Sequence, residues 1–237
     1  MTFEVIAVAN KWPEADYYCF SEFIESLEKW DCAPSILGMG EKWGGLMTKP
    51  RLLINYLKNE CKSEVVICVD AFDAVFAKDP QVIVDEWLTA SGGKWTAGAE
   101  RNCFPDQSLA DKHPESDSSY RYLNSGFIIS TKDDMIAVLE SMNLDSIPDD
   151  GVDPNNWHPN DQHYYMVEFL KQPVTMGLDT GTRYVWNLCG VDQSNFDFGV
   201  DVPINRETGN APGVYHFNGG SKTDGMQEKI LKHLKLR

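Results

Sequence analysis

The sequence predicts an α/β fold, a sheet with helices packed on its faces, on three observations. Strand-like and helix-like segments alternate from the first residues onward. The run Val65-Val66-Ile67-Cys68-Val69 is continuously apolar, as a central strand covered on both faces requires. The chain has 237 residues, 42% of them hydrophobic, enough to bury one substantial core, so residues 1–237 are read as a single domain.

In chain order, residues 3–9 read as the first strand. Residues 14–30 form a helix, with Phe20, Ile24 and Leu27 at helical spacing behind Pro13. A second helix opens at Pro50 and carries Leu53, Tyr56 and Leu57 on one face, and residues 65–69 follow as the buried strand. Asp79-Pro80 opens a helix that runs through Trp87. Residues 95–99 and 126–130 are strands, with Asn124 and Ser125 placed just ahead of the latter, and Met135, Ile136 and Leu139 mark the next helix. Residues 143–160, which include Trp157 and His158, are rich in Asp, Asn and Pro without periodicity, the mark of a long surface loop. Residues 161–170 read as a helix, 174–178 and 214–217 as strands, and 224–236 as a closing helix built on Ile230, Leu231 and Leu234.

Charge narrows the partners. With 36 acidic against 21 basic residues the formal charge is -15, which opposes a nonspecific grip on nucleic acid or anionic lipid and suits basic partners or substrates, divalent cations, or simply a well-solvated surface. No stretch approaches the roughly 20 apolar residues of a membrane span, so no transmembrane segment is expected. The N-terminus lacks a signal peptide's basic region and apolar core, which points to the cytoplasm. Six cysteines without C-x-x-C spacing read as free core thiols. The oligomeric state stays open, a homodimer included.

Two constellations carry chemistry. Asp70-Ala71-Phe72-Asp73 follows directly on the buried strand, and open α/β sheets bind ligands at the carboxyl ends of their strands. Two carboxylates there can hold a hard divalent cation whose shell substrate phosphates complete. Alone, the same spacing also serves a helix cap or a solvated turn. The second constellation is His216-Phe217-Asn218-Gly219-Gly220-Ser221-Lys222. It combines an imidazole able to ligate a metal, glycines that let backbone N–H groups approach phosphate, and a lysine able to meet a departing diphosphate. Alone, it is equally a surface turn, and the joint occurrence carries the weight.

His216, Gly219 and Lys222, spaced H-x-x-G-x-x-K behind a strand-end acidic motif, resemble the metal and diphosphate site of retaining GT-A transferases such as glycogenin. The sequence is more closely similar to the N-terminal glycosyltransferase domain of the procollagen lysyl hydroxylases. The likeness is most specific over residues 99–128, through Ala99-Glu100-Arg101-Asn102-Cys103-Phe104-Pro105-Asp106, Leu109-Ala110-Asp111-Lys112-His113-Pro114 and Arg121-Tyr122-Leu123-Asn124-Ser125-Gly126-Phe127-Ile128. It extends to Trp43-Gly44-Gly45, to Lys49-Pro50-Arg51-Leu52-Leu53 and to Asn160-Asp161-Gln162, covering the chain from about Gly40 to Lys222.

The resemblance implies a GT-A, Rossmann-like mixed sheet flanked by helices and a hexose transfer from a UDP-sugar, glucose in preference to galactose. It implies Mn2+ or Mg2+ on Asp70, Asp73 and His216, and donor contacts from Trp43, Lys49, Asp70, Asn124, Ser125, Asn218, Gly219 and Lys222. Asp161, Gln162, Asn124 and Lys222 become the candidate catalytic residues. Glu100 and Asp106 fall inside the specific run without an assignable role. The implied acceptor is galactosyl-hydroxylysine or hydroxylysine of a collagen-like protein. Trp157 and His158 are candidates to line the acceptor cleft, the alternative being an aromatic anchor for their loop. Set against the missing signal peptide, the resemblance implies a stand-alone enzyme of viral or bacterial kind. A transferase acting on another glycan or a lipid-linked acceptor, and a non-catalytic sugar-nucleotide-binding domain, are the competing readings. This chain departs from the family in a less glycine-rich loop over residues 43–49, in Pro50, and in an acidic run shortened to Asn160-Asp161.

Overall fold

The computed structural model describes residues 1–14, 18–148, 159–172, 175–222 and 225–237. In chain order the elements are β1 (Phe3–Val8), α1 (Phe20–Glu28), β2 (Ser35–Leu37), α2 (Thr48–Asn59), β3 (Val65–Val69), β4 (Ala74–Phe76) and α3 (Pro80–Ser91). Then come β5 (Trp95–Glu100), β6 (Tyr122–Thr131), α4 (Lys132–Ser141), α5 (Asp161–Lys171), β7 (Met176–Asp179) and β8 (Val185–Asn187). β9 (Phe196–Asp197), β10 (Ile204–Asn205), β11 (Val214–His216) and α6 (Met226–His233) complete the described order.

Six strands form the main sheet in the order β2-β1-β3-β6-β5-β7. It is mixed: β1 runs parallel to β2 and β3, β7 runs parallel to β5, and β6 is antiparallel to both β3 and β5. The apolar run of β3 follows from its central place. Val66 points with Ile6 and Ile128 into a core closed by Leu53 and Leu57 of α2, Leu139 of α4 and Phe169 of α5. Val65, Ile67 and Val69 point the other way, against Phe23 and Leu27 of α1 and Val84 and Trp87 of α3, as strand alternation demands. A smaller sheet, β4-β11-β8, packs Val75, Trp186 and Tyr215 against Ile230 and Leu231 of α6.

Local chemistry sets the helix ends. Asp79 caps α3 by accepting from the Gln81 N–H, Pro80 supplies the preset first turn, and Gly92 ends the helix in the left-handed conformation at φ 67°. Asn160 caps α5 in the same manner through Gln162 N–H, which fixes where Asp161 and Gln162 emerge.

Several boundaries depart from the sequence reading. Helix α1 begins at Phe20 rather than at residue 14, and residues 15–17 of the expected helix lie outside the described residues. Helix α2 begins at Thr48, because a proline in the first turn lacks only an N–H that has no helical partner. Strand β6 begins at Tyr122, so Asn124 and Ser125 lie within a strand and not in a turn ahead of it. The short strands β2, β4 and β8 to β10 are additions to the sequence reading, since strands of two or three residues are too short to leave a periodic trace. The expected loop at 143–160 opens with a 3-10 turn at Leu144–Ser146; residues 149–158, with Trp157 and His158, lie outside the described residues. The expected strand at 174–178 starts at Met176 and the closing helix spans Met226–His233, with residues 174 and 224 outside the described residues. All six cysteines are free, as expected. Among the described residues no helix is long and apolar enough to cross a membrane.

One buried carboxylate organises the turn between the two sheets. Asp179 accepts hydrogen bonds from the backbone N–H groups of Arg183 (2.9 Å), Tyr184 (2.6 Å) and Val185 (2.9 Å). Burial outweighs those donors and pushes its carboxyl up to about 6 from 3.8. The native state therefore holds this proton more tightly than the unfolded chain, and the resulting stability is present below the unfolded value and lost as pH rises through the native one. The unfolding free energy of the wild type, measured in urea relative to Asp179→Asn, should fall by roughly 3 kcal/mol between about pH 4 and pH 6 and stay level above. A difference independent of pH would contradict a buried carboxyl with a raised pKa.

Candidate active site

Strand register brings the two sequence constellations together. β3 ends at Val69, and Asp70 is fastened to the neighbouring strand by its N–H to the Gly126 carbonyl at 2.9 Å. β11 pairs antiparallel with β4, His216 opposite Ala74, and Phe217 N–H donates to the Asp73 carbonyl at 2.6 Å. Asp73 and His216, 143 positions apart, thus become neighbours (216 − 73). Asp70, Asp73 and His216 each present one ligand-capable atom, all within 4.8 Å of one another.

The parallel pairing of β11 with β8 sets Asn187 opposite His216. Asn187 donates from Nδ2 to the Ala99 carbonyl at 2.8 Å, which turns its Oδ1 toward the imidazole. His216 Nδ1–H donates to that oxygen at 2.7 Å, so Nε2 is left with its lone pair. Nε2 is buried without a hydrogen-bond partner and faces Asp73 Oδ1 at 3.4 Å and Asp70 Oδ2 at 3.8 Å. Three acceptor atoms directed at one point repel one another unless a proton or a cation lies between them. Two carboxylates and an imidazole with its other nitrogen tied to an amide form a donor set that fits a divalent ion such as Mn2+. The ring has room only because residue 126 is glycine: a Cβ there would lie 2.1 Å from His216 Cε1.

Around this point lie two lysines. Lys49 Nζ reaches Asp70 Oδ1 at 2.7 Å and Asp161 Oδ2 at 3.0 Å. Burial opposes its charge, yet Asp161 and Asp70 outweigh burial and hold the ammonium well above the ordinary lysine range. Burial conversely raises the Asp161 carboxyl, an effect Lys49 only partly offsets. Lys222 Nζ reaches Asp73 Oδ2 at 2.6 Å. Burial alone would raise Asp73; with a proton on the His216 ring in place of a cation, the imidazolium and Lys222 outweigh burial and keep this carboxyl well below the usual range.

A fourth carboxylate, Glu100, lies in the cavity wall and is 3% exposed. Its Oε1 accepts from Asn124 Nδ2 and Gln162 Nε2, both at 2.9 Å, and its Oε2 from Asn218 Nδ2 at 3.0 Å. Burial raises its carboxyl despite these donors. The other amide atoms are used as well: Asn124 Oδ1 accepts from Gly126 N–H, Asn218 Oδ1 from Cys189 N–H, and Gln162 Oε1 from Ser125 N–H. The irregular β5–β6 pairing at Ala97/Gly98 leaves residues 125–127 of β6 without partners on β5 and frees Ser125 N–H for Gln162.

Lys49, Asp70, Asp73, Asn124, Ser125, Asp161, Gln162, His216, Asn218, Gly219 and Lys222 all line one cavity of about 530 Å3. Trp43, half-buried on the loop before α2, is not among the lining residues. Asp106 caps a 3-10 turn through Ser108 N–H, away from the cavity lining. Sequence reasoning missed Asn187, and Glu100 had no role until its three partners were seen. Asn187 did leave a trace, as a lone polar residue interrupting the apolar run Tyr184-Val185-Trp186 and Leu188.

Comparison with known proteins gives the family and the fold. A family model described as the PLOD GT domain matches residues 2–227. The chain is 30% identical over 219 residues to the multifunctional procollagen lysine hydroxylase and glycosyltransferase of Caenorhabditis elegans, covering 84% of this chain and 28% of that protein. It is 29% identical over 226 residues to the procollagen-lysine,2-oxoglutarate 5-dioxygenase of Drosophila melanogaster, covering 86% of this chain and 29% of that one. An uncharacterized protein of Acanthamoeba polyphaga mimivirus is 24% identical over 215 residues, covering 84% of this chain and 41% of that protein. The chain therefore spans under half the length of each of these relatives. The crystal structure of a glycosyltransferase involved in the glycosylation of the major capsid of PBCV-1 superposes with a TM-score of 0.54 at 10% identity, over 99% of this chain and 100% of that one. That likeness shows the fold, which is the GT-A type.

If Asn187 fixes the tautomer of His216, Asn187→Ala should weaken Mn2+ binding by about 10- to 100-fold, the usual cost of losing such an outer partner. Electron paramagnetic resonance of free Mn2+ measures this directly, with circular dichroism to confirm the fold. Unchanged affinity in a folded variant would show that His216 is not oriented through Asn187.

Proposed function

The chain belongs to the PLOD GT domain family, and from that premise we propose that it is a metal-dependent hexosyltransferase using a UDP-sugar. In this reading glucose, in preference to galactose, moves to a hydroxyl acceptor, galactosyl-hydroxylysine of a collagen-like protein, with retention at the anomeric carbon. The observation that carries it is the convergence of Asp70, Asp73 and the unpartnered His216 Nε2 at a cavity that also holds Lys222 and Asp161.

A divalent ion held by those three residues supplies positive charge that offsets the donor diphosphate. The chain's own residues account for the rest. Gly219, at φ 59° with its Cα face closed by Cys189 Sγ, opens the Gly219–Lys222 turn, whose first two residues, Gly219 and Gly220, are exposed for approach by phosphate. Lys222 meets the charge that grows on the diphosphate as the glycosidic bond breaks. Trp43 and the loop ahead of α2 are assigned to the uracil, and Asn218 and Ser125 to the donor edge of the cavity. Asp161 is placed by its N-terminal position on α5, by Lys49 and by Ser125 Oγ at 3.4 Å, and is assigned to the anomeric side of the sugar. Gln162 and Asn124, whose amides are engaged by Glu100, hold Asp161 and the bulge of β6 in place and act as positioning groups.

The direct test is UDP release with Mn2+, a panel of UDP-sugars, and hydroxylysine or galactosyl-hydroxylysine. UDP-glucose with the galactosylated acceptor should turn over fastest, and excess EDTA should abolish turnover. Full activity in EDTA would sink the metal assignment. Lys222→Ala should lower kcat by about a hundred- to a thousandfold with a smaller change in donor KM, since its contact strengthens in the transition state. A variant with unchanged kcat and a shifted KM would make Lys222 a uniform binding contact.

A further inference from the structure

The two carboxylates assigned to the cation are both already paired with ammonium groups, and the two pairs are not equivalent. Lys49 has two acids within reach, Asp70 at 2.7 Å and Asp161 at 3.0 Å. If Asp70 turns to a cation, Lys49 keeps Asp161. Lys222 pairs directly with Asp73 alone among the described residues, at 2.6 Å; Asp70 adds to the field that stabilises its charge, and the ring face of Tyr18 lies at 5.8 Å. Both lysine side chains are about four-fifths withdrawn from water, at 19% and 20% exposure, so these pairs are poorly screened. An ion arriving alone must therefore take Asp73 from an ammonium whose one remaining anion, Asp70, belongs to the same cation site. A diphosphate supplies an anion of its own.

We infer that Lys222 is the resident counter-cation of the Asp70–Asp73–His216 site, and that a nucleoside diphosphate opens the site to a divalent ion by drawing Lys222 off Asp73. The placement suits such an exchange. Lys222 ends a 3-10 turn whose Gly219 and Gly220 are exposed, and its long side chain can swing about its own bonds, while the Asp73 backbone is fixed by the strand pairing beside it. Ion and diphosphate then bind with positive coupling beyond the direct contact between them. By linkage, each raises the other's affinity by the same factor, and couplings of this kind commonly amount to about 5- to 150-fold. Lys49 takes no part in the exchange.

This inference rests on the reading of the three residues as a cation site, and the experiment separates the two. Mn2+ binding is measured by electron paramagnetic resonance, with and without UDP, for the wild type, Lys222→Met, Lys222→Arg and, as a control, Lys58→Met, which breaks a surface pair with Glu140. UDP should tighten Mn2+ binding by the wild type at least about tenfold. Lys222→Met should bind Mn2+ about tenfold more tightly than the wild type without UDP, with the coupling reduced by a similar factor. Lys222→Arg, which keeps the charge, and the Lys58 control should stay close to the wild type. Wild-type Mn2+ binding with UDP, combined with no tightening in UDP-free Lys222→Met, overturns the counter-cation role and leaves the cation site standing. No Mn2+ binding by the wild type even with UDP overturns both.

Discussion

The site depends on the demand of one buried carboxylate. Glu100 is at the end of a core strand, and a carboxylate removed from water costs several kcal/mol unless hydrogen bonds replace its hydration. Its three donors come from three separate places: Asn124 in β6, Asn218 just after β11, and Gln162 in the first turn of α5. Satisfying Glu100 therefore fixes the strand bulge, the glycine turn and the helix start relative to one another. Ser125, Lys222 and Asp161 each lie close in sequence to one of these anchors. Glu100 needs no contact with a substrate to govern the geometry of everything that has one.

A second constraint is register. In the small sheet, one pairing sets His216 opposite Ala74 and so beside Asp73, and the other sets it opposite Asn187. A slip of one residue would turn His216 to the opposite face, because side chains alternate along a strand. Asp179 supports this arrangement from a distance, by capping the turn that leads into β8. The cluster of acids is electrostatically costly, and the two lysines hold it together at that cost. Sites of this kind trade stability for function.

What could be read from the sequence follows from how local each signal is. The strand β3 and the helices α2, α4 and α5 were legible because burial on two faces or one stripe leaves a periodic trace. The cation-site residues were legible through motifs, Asp70 and Asp73 by their place after a buried strand and His216 to Lys222 by resemblance. The short strands β4 and β8 were not, since three-residue strands carry no period and exist only through partners more than a hundred positions away or on a third segment. The same is true of Asn187 and of the role of Glu100. Asn124 and Ser125 were placed ahead of a strand because polar residues ordinarily end one; here they continue it, with Asn124 Nδ2 serving Glu100 and Ser125 N–H serving Gln162.

The account turns on whether Asp70, Asp73 and His216 Nε2 meet at one divalent ion beside the donor diphosphate. Electron spin-echo envelope modulation of Mn2+ bound together with UDP addresses that point most directly. The account predicts nitrogen coupling from a single imidazole and phosphorus coupling from the diphosphate, with the nitrogen signal lost in His216→Ala. Manganese that shows phosphorus coupling but no imidazole nitrogen in the wild type would contradict it.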